Sequence, residues 1–214
     1  MSFALTFDDG PGPSMPALLD VLRDARIHAT FFTLGCNVLS PAWGTAHDAR
    51  AMMLRAIAEG HELANHSMTH PHSVDTTTAG YADEVRRADE LIVSLRREAG
   101  APDSRILARL PYGEEPPDDV RAAALRAAGR EPVHWTGDLY EDWVPQDPAR
   151  LCDALVAHVA DCIGRGVTAV LTLHISGESP AIGFARPWTV DAVRLFAAEA
   201  HARGWHDVPC PAAA

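Results

Sequence analysis

Apolar and polar positions change places in short blocks along this chain. Phe3, Leu5 and Phe7 alternate with Ala4 and Thr6, a period of two that predicts a short buried strand. That strand is expected to stop at Asp8-Asp9, with Gly10-Pro11-Gly12-Pro13 forcing a turn. Over 14–25 the period becomes helical, with Leu18, Leu19 and Leu22 behind Ser14 and Pro16. A second apolar strand is predicted over 29–34, followed by a loop over 36–47 that holds Pro41 and Gly44. A helix over 48–59 turns Met52, Met53 and Ile57 inward, and Gly60 suits its C-terminal cap. A short strand at 62–65 precedes a long helix over about 77–97, with Tyr81, Val85, Ala88, Leu91, Ile92 and Leu95 on one side. The alternation continues with a strand at 105–110 and an Ala-rich helix at 118–128 after Pro116-Pro117. A strand at 132–135, a helix at 148–163, a strand at 169–174, a helix at 189–202 and a strand at 205–208 complete it.

Seven strands alternating with six helices predict an α/β fold, a parallel sheet with helices outside it. A closed barrel and an open doubly wound sheet both satisfy the pattern. The polar residues with chemical potential sit where strands end. Asp8 and Asp9 follow the first strand, His66 the third and Asp138 the fifth, while Arg109 ends the fourth and His174 the sixth. Sites in parallel α/β folds are built at the C-terminal ends of strands. Convergence of five strand ends favours a barrel, here with about seven parallel strands.

The 214 residues fit one large domain spanning 1–214. A formal charge of -11 argues against nucleic acid and anionic membrane as partners and leaves room for a neutral or cationic substrate. The apolar runs fall short of a bilayer span. Met1-Ser2 leads almost directly into the first strand, so a cytoplasmic protein is expected, or a secreted one had a leader been removed. Cys36, Cys152, Cys162 and Cys210 lack Cys-x-x-Cys spacing and read as free or buried thiols. Oligomeric state is not legible.

Neighbouring residues leaving a strand point in different directions. One of Asp8 and Asp9 can therefore bind a cation while the other serves as a base; alternatively the two simply begin a loop. His66 and His70 stand four apart, which on a helical turn puts both on one face, able to bind one metal ion. Two His and one Asp leave positions open for water and substrate, as a catalytic zinc needs. Of the eleven histidines, His28, His47, His61, His72, His134, His158, His201 and His206 read as surface or core residues. Arg109-Leu110-Pro111-Tyr112-Gly113 makes a turn that can present a backbone N–H to an oxyanion, or simply a surface turn. Asp138-Leu139-Tyr140-Glu141-Asp142-Trp143 brings carboxylates and a large aromatic to another strand end, or is a loop anchored by its Trp. His174 can protonate a leaving group if a carboxylate raises its pKa, or is a buried His satisfied by backbone.

Thr6-Phe7-Asp8-Asp9-Gly10-Pro11, His66-Ser67-Met68-Thr69-His70-Pro71, Arg109 to Gly113, Asp138 to Trp143 and Leu171-Thr172-Leu173-His174 stand in the order of the five motifs of the polysaccharide deacetylase family. The chain resembles this NodB-homology group, carbohydrate esterase family 4, from residue 3 to about 205. Leu18-Leu19-Asp20-Val21-Leu22 and Ala29-Thr30-Phe31-Phe32 resemble it as well. The resemblance implies a single-domain distorted (β/α) barrel and metal-dependent hydrolysis of an N-acetyl group on an amino sugar of chitooligosaccharide or peptidoglycan type. It implies that Asp9, His66 and His70 hold the metal, Zn2+ or another divalent transition ion such as Co2+ or Ni2+. By the same match Asp8 is the general base, oriented by Arg109, and His174 the general acid, kept protonated by Asp142. The backbone N–H of Tyr112 would stabilise the oxyanion, and Trp143 and Leu173 would wall the acetyl methyl pocket.

Two features depart from the family pattern. Three residues separate Asp138 from Asp142-Trp143 where two are usual, so Asp138 is a second candidate partner for His174. Ile175 follows His174 where the family often has Asp. Two other readings remain: an N-deacylase of a small cytosolic N-acyl amine or biosynthetic intermediate, and a catalytically inactive carbohydrate-binding module.

Overall fold

In a computed structural model of the chain, residues 1–40, 46–115, 118–137, 145–177 and 185–211 are described. Along them lie β1 (Ser2–Gly10), α1 (Met15–Ala25), β2 (Ala29–Thr33), α2 (Gly35–Leu39), α3 (Ala46–Ala58) and β3 (Glu62–Asn65). There follow α4 (Thr78–Glu98), α5 (Val120–Ala127), α6 (Pro148–Gly164), β4 (Ala169–His174), α7 (Pro187–Ala202) and β5 (His206–Asp207). The strand order is β3-β2-β1-β4, with β5 beside the start of β1, and these pairings are parallel.

The strands predicted at 105–110 and 132–135 are extended segments without a regular ladder, yet they close the ring. Asn65 bridges Ala108, the Val133 N–H donates to the Ala108 carbonyl at 2.7 Å, and the Thr136 N–H donates to the Val170 carbonyl at 3.2 Å. The staves therefore run β1, β2, β3, 105–110, 132–136, β4 and back to β1, a distorted barrel. The thin pairing has local causes. Pro111 and Pro132 have no N–H to give, and the Val133 carbonyl is taken by the Arg109 side chain at 3.3 Å.

Two boundaries also differ from expectation. β1 does not stop at Asp8-Asp9 but runs through both to Gly10, because Asp8 keeps its register opposite His174 on β4. The loop expected over 36–47 begins as α2, whose Gly35 and Cys36 N–H groups donate to the Ser67 and Met68 carbonyls at 3.1 and 2.8 Å.

Strand alternation sorts the core into two layers. Phe3, Leu5, Phe7, Phe31, Leu63, Leu171 and Leu173 face outward and pack with Leu18, Leu22, Leu155 and Phe196 of the helices. Ala4, Phe32, Ala64, Leu107, Val133 and Val170 form the narrow interior column, with Cys210 among them. Small residues on β1 and β3 make room there for Phe32, which is how a small barrel fills its inside. Gly60 closes α3 as predicted, at φ +87°, where a Cβ would be strained. α4 buries Tyr81, Val85, Ala88, Ile92 and Leu95, the predicted stripe, and Thr77 caps it by accepting from the Gly80 N–H at 3.0 Å. No helix among the described residues is long and apolar enough to cross a membrane.

His61 follows α3 and is buried against Phe31. Its Nδ1 accepts from the Ala29 N–H at 3.1 Å, a bond that requires an unprotonated nitrogen. Burial, helped by repulsion from His28, pushes its pKa down to about 4. An unfolded histidine titrates at about pH 6.5, so between these values the unfolded chain binds more protons and stability rises with pH. His61→Gln keeps an acceptor for Ala29 and should flatten that rise. Thermal melts of both proteins across the window measure it; an unchanged slope would show that His61 is not the group responsible.

Candidate active site

The interior column ends, at the C-terminal mouth of the barrel, in polar side chains. Asp8 stands two residues above Thr6 and four above Ala4 on β1, and pairs in register with His174 on β4. Asp9 leaves the alternation. Its φ is +65°, and the β1–β2 register shifts between Phe7 and Gly10. This irregularity turns Asp9 away from its neighbour's course. Asn37, wholly buried, holds it there by donating from Nδ2 to the Asp9 carbonyl at 2.7 Å and the Gly177 carbonyl at 3.2 Å.

His66 and His70 do not lie on a helical turn. Residues 66–70 form an irregular loop in which Ser67 and His70 have φ of +72° and +60°. Side chains satisfy the backbone that a helix would have paired. Asn65 Oδ1 accepts from the Ser67 N–H at 2.7 Å and Ser67 Oγ from the His70 N–H at 3.1 Å. Glu84, reaching from α4, accepts from the Met68 and Thr69 N–H groups at 2.9 and 2.8 Å. The loop still brings both imidazoles to Asp9. His66 Nε2 lies 3.5 Å and His70 Nε2 3.3 Å from Asp9 Oδ1.

This donor set fits a metal ion. Asp9, His66 and His70 are buried and offer one ligand atom each within 4.8 Å of one another. Ligands about 2.1 Å from one ion at tetrahedral angles stand about 3.4 Å apart, close to the two separations observed. Burial pushes the pKa of His66 down to about 3 and that of His70 to about 2, so both are neutral bases at physiological pH, as ligation requires. His66 Nδ1 is 3.0 Å from the Arg109 carbonyl, which can only accept. Nδ1 therefore carries the proton and Nε2 keeps the lone pair.

Asp8 is drawn the other way. Arg109 Nη1 donates to Asp8 Oδ1 at 2.7 Å and to Thr6 Oγ1 at 2.8 Å. Thr6 Oγ1 in turn donates to the Leu171 carbonyl at 2.7 Å. The guanidinium lies 3.9 Å over the Phe32 ring and is 1% exposed. Asp8 Oδ2 stays on the side of the histidines, 3.9 Å from His66 Nε2.

A cavity of about 200 Å³ opens over these groups, lined by Asp8, His66, His70, Leu110, Tyr112, Trp135, Thr172 and His174. Tyr112 sits in the Pro111–Gly113 turn at φ +58°. Its ring meets His70 edge-on at 4.4 Å and stacks on His72 at 3.6 Å and 3°. Gly113, at φ +75°, lets Trp135 lie 2.9 Å from where a Cβ would stand. Leu173 is not in the cavity. It faces outward into the helix-covered core, and Thr172, one residue earlier on the His174 face, lines the cavity instead. His72, grouped in sequence with the surface and core histidines, stacks on Tyr112 and pairs with Glu115 at 2.9 Å. Trp135 and Thr172 also line the cavity without being expected from sequence, although counting back by two from His174 reaches Thr172. Asp138, Asp142 and Trp143 lie outside the described residues.

A family model described as polysaccharide deacetylase matches residues 1–133. The chain is 36% identical over 217 residues to a chitooligosaccharide deacetylase of a Bradyrhizobium species, covering 98% of this chain and 89% of the relative. It is 38% identical over 159 residues to a chitooligosaccharide deacetylase of Sinorhizobium fredii, covering 74% of this chain and 67% of the relative. Among solved structures, a family 4 carbohydrate esterase from Streptomyces lividans in complex with acetate is similar at a TM-score of 0.72 and 26% identity, covering 96% of this chain and 91% of that one.

The geometry separates the two carboxylates in a way that metal analysis can read. Asp9→Asn, His66→Gln and His70→Gln should each lose the divalent ion on dialysis, while Asp8→Asn retains it at the wild-type ratio by elemental analysis. Loss from Asp8→Asn as complete as from Asp9→Asn would place Asp8 in the coordination sphere and contradict this division.

Proposed function

Because the chain belongs to the polysaccharide deacetylase family, we propose that it removes N-acetyl groups from N-acetylglucosamine residues of a chitooligosaccharide-type glycan by metal-dependent amide hydrolysis. The observation that carries this reading is the juxtaposition of Asp9, His66 and His70 with a separately held Asp8 and with His174 around one small cavity. Zn2+ suits the two-nitrogen, one-oxygen donor set. Such an ion, when bound, polarises the acetamide carbonyl and makes water a better nucleophile.

The chain's own groups supply the proton traffic. Asp8 is the general base for the attacking water, with Oδ1 fixed by Arg109 and Oδ2 turned to the metal group. The Tyr112 N–H is the backbone donor for the oxyanion. His174, across the β1–β4 pair from Asp8, protonates the departing amine, which without a proton is a poor leaving group. Asp142, or Asp138 in its stead, is the carboxylate proposed to keep His174 protonated, and Trp143 is proposed to cover the acetyl methyl. At about 200 Å³ the cavity is smaller than the roughly 300–1,000 Å³ of sites for drug-sized ligands. It suits the acetyl group, with the sugar ring on its rim.

Free acetate measured after incubation of zinc-loaded protein with N-acetylglucosamine oligomers of graded length, peptidoglycan fragments and small N-acetyl amines tests the proposal. Acetate release from the oligomers is expected. Asp8→Asn and His174→Ala should each lower it by roughly 10²–10⁴-fold with zinc still bound. Release only from the small amines would replace the glycan with a small N-acyl substrate. No acetate from any substrate, with zinc present, would overturn the assignment.

A further inference from the structure

Helix α5 opens with a buried arginine that the chemistry above does not use. Arg121 is 0% exposed, in a helix otherwise rich in alanine. A guanidinium taken out of water costs several kcal/mol unless its donors are paired. Here they are. Nε donates to Asp119 Oδ1 at 3.0 Å, and Nη2 donates to Asp119 Oδ2 at 2.7 Å. Nη2 also donates to the Gly113 carbonyl at 3.0 Å and lies 2.9 Å from Glu115 Oε2. Nη1 donates to two carbonyls, Pro71 at 2.9 Å and Pro111 at 2.8 Å. Asp119 is itself tied down as the cap of α5, accepting from the Arg121 N–H at 2.8 Å.

The carbonyls chosen give the contact its meaning. Pro71 follows His70 directly. Pro111 and Gly113 flank Tyr112. The Pro111 carbonyl and the Tyr112 N–H belong to one peptide unit, and in a trans peptide these two groups point in opposite directions. Holding that carbonyl on the Arg121 side therefore aims the Tyr112 N–H to the other side. A cationic donor on the carbonyl also polarises the same peptide and makes its N–H a stronger donor.

We propose that Arg121 is a positioning residue for the deacetylation: one guanidinium fixes the spacing between the His70 ligand loop and the peptide whose N–H receives the oxyanion. The inference rests on the deacetylase reading for its rate effect, but its effect on the ligand loop stands without it. A lysine keeps the charge against Asp119 and lacks the planar fork that reaches Pro71, Pro111 and Gly113 together.

The test compares Arg121→Lys with Arg126→Lys, an exposed arginine on the same helix that pairs with Glu114 and Glu131. For each protein, kcat and KM for acetate release, zinc affinity by chelator competition, and Tm are measured, with kinetics taken well below the lowest Tm. Arg121→Lys should lower kcat by about 10²-fold with KM nearly unchanged, as a displaced donor does. It should weaken zinc binding by about 10-fold, as loss of a group that supports a ligand does. Arg126→Lys should match the wild type in all three. A lowered Tm with wild-type kcat and zinc affinity would reduce Arg121 to a folding role and overturn the proposal. If the wild type itself releases no acetate, the deacetylase reading fails, and wild-type zinc affinity in Arg121→Lys would then overturn the link to His70. Should Arg121→Lys not fold, Arg121→Ala refolded in ethylguanidinium replaces it. With the circular dichroism spectrum constant, kcat and zinc affinity that follow the cation concentration support the proposal; values independent of it overturn it.

Discussion

The buried ion pair between Arg109 and Asp8 is the contact on which the site depends. Both side chains are almost wholly inside, joined at 2.7 Å beneath the cavity. Removing one partner of such a pair costs about 3–5 kcal/mol, because the other charge is left buried and uncompensated. Arg109 also acts through its backbone. Its N–H donates to the Asn65 carbonyl at 3.0 Å, and its own carbonyl faces His66 Nδ1 at the same distance. One residue therefore closes the barrel wall, sets the tautomer of His66 and holds Asp8. The neighbouring carboxylates of β1 have different partners because Arg109 claims the first and the bulge at φ +65° delivers the second to the histidines.

The barrel sets Asp8 and His174 on neighbouring strands. Alternation on β1 and β4 carries Asp8 and His174 above a column of packed side chains, so each sits on a rigid strand. The loops are fixed by polar side chains in place of regular backbone pairing. Asn37 binds the carbonyl of Asp9, Glu84 binds two amides of the His66–His70 loop, and Arg121 binds the carbonyls around Tyr112. Side chains presented by irregular backbone need such support to hold a site geometry, since misplacement by about an ångström can cost two orders of magnitude in rate.

The fold was legible because strand alternation and helix stripes report burial on two faces and on one, and those patterns survive in Phe3-Ala4-Leu5-Thr6-Phe7 and in α4. The segments at 105–110 and 132–135 fall short of the strands the pattern predicts because a hydrophobic pattern does not count the amides that proline removes or the Val133 carbonyl that Arg109 takes. The His66 and His70 imidazoles do meet at Asp9, but from an irregular loop and not from the helical turn their spacing predicts. Positive φ at Ser67 and His70 is accompanied by side-chain bonds from Asn65 and Ser67 to those two amides, which no four-residue spacing can disclose. The family resemblance puts Leu173 on the acetyl pocket, whereas the strand's period of two puts Thr172 on the His174 face. Arg121 was invisible, because an arginine in an Ala-rich helix reads as a solvated side chain until the two loops above it are in place.

Crystals of the zinc-loaded protein, measured at the zinc edge for anomalous scattering, address the division of the two carboxylates most directly. A single peak is expected about 2.0–2.2 Å from one Asp9 oxygen and from the Nε2 atoms of His66 and His70, with Asp8 still bound to Arg109 and outside the coordination shell. A peak chelated by Asp8 and Asp9 together, with Arg109 released, would contradict it.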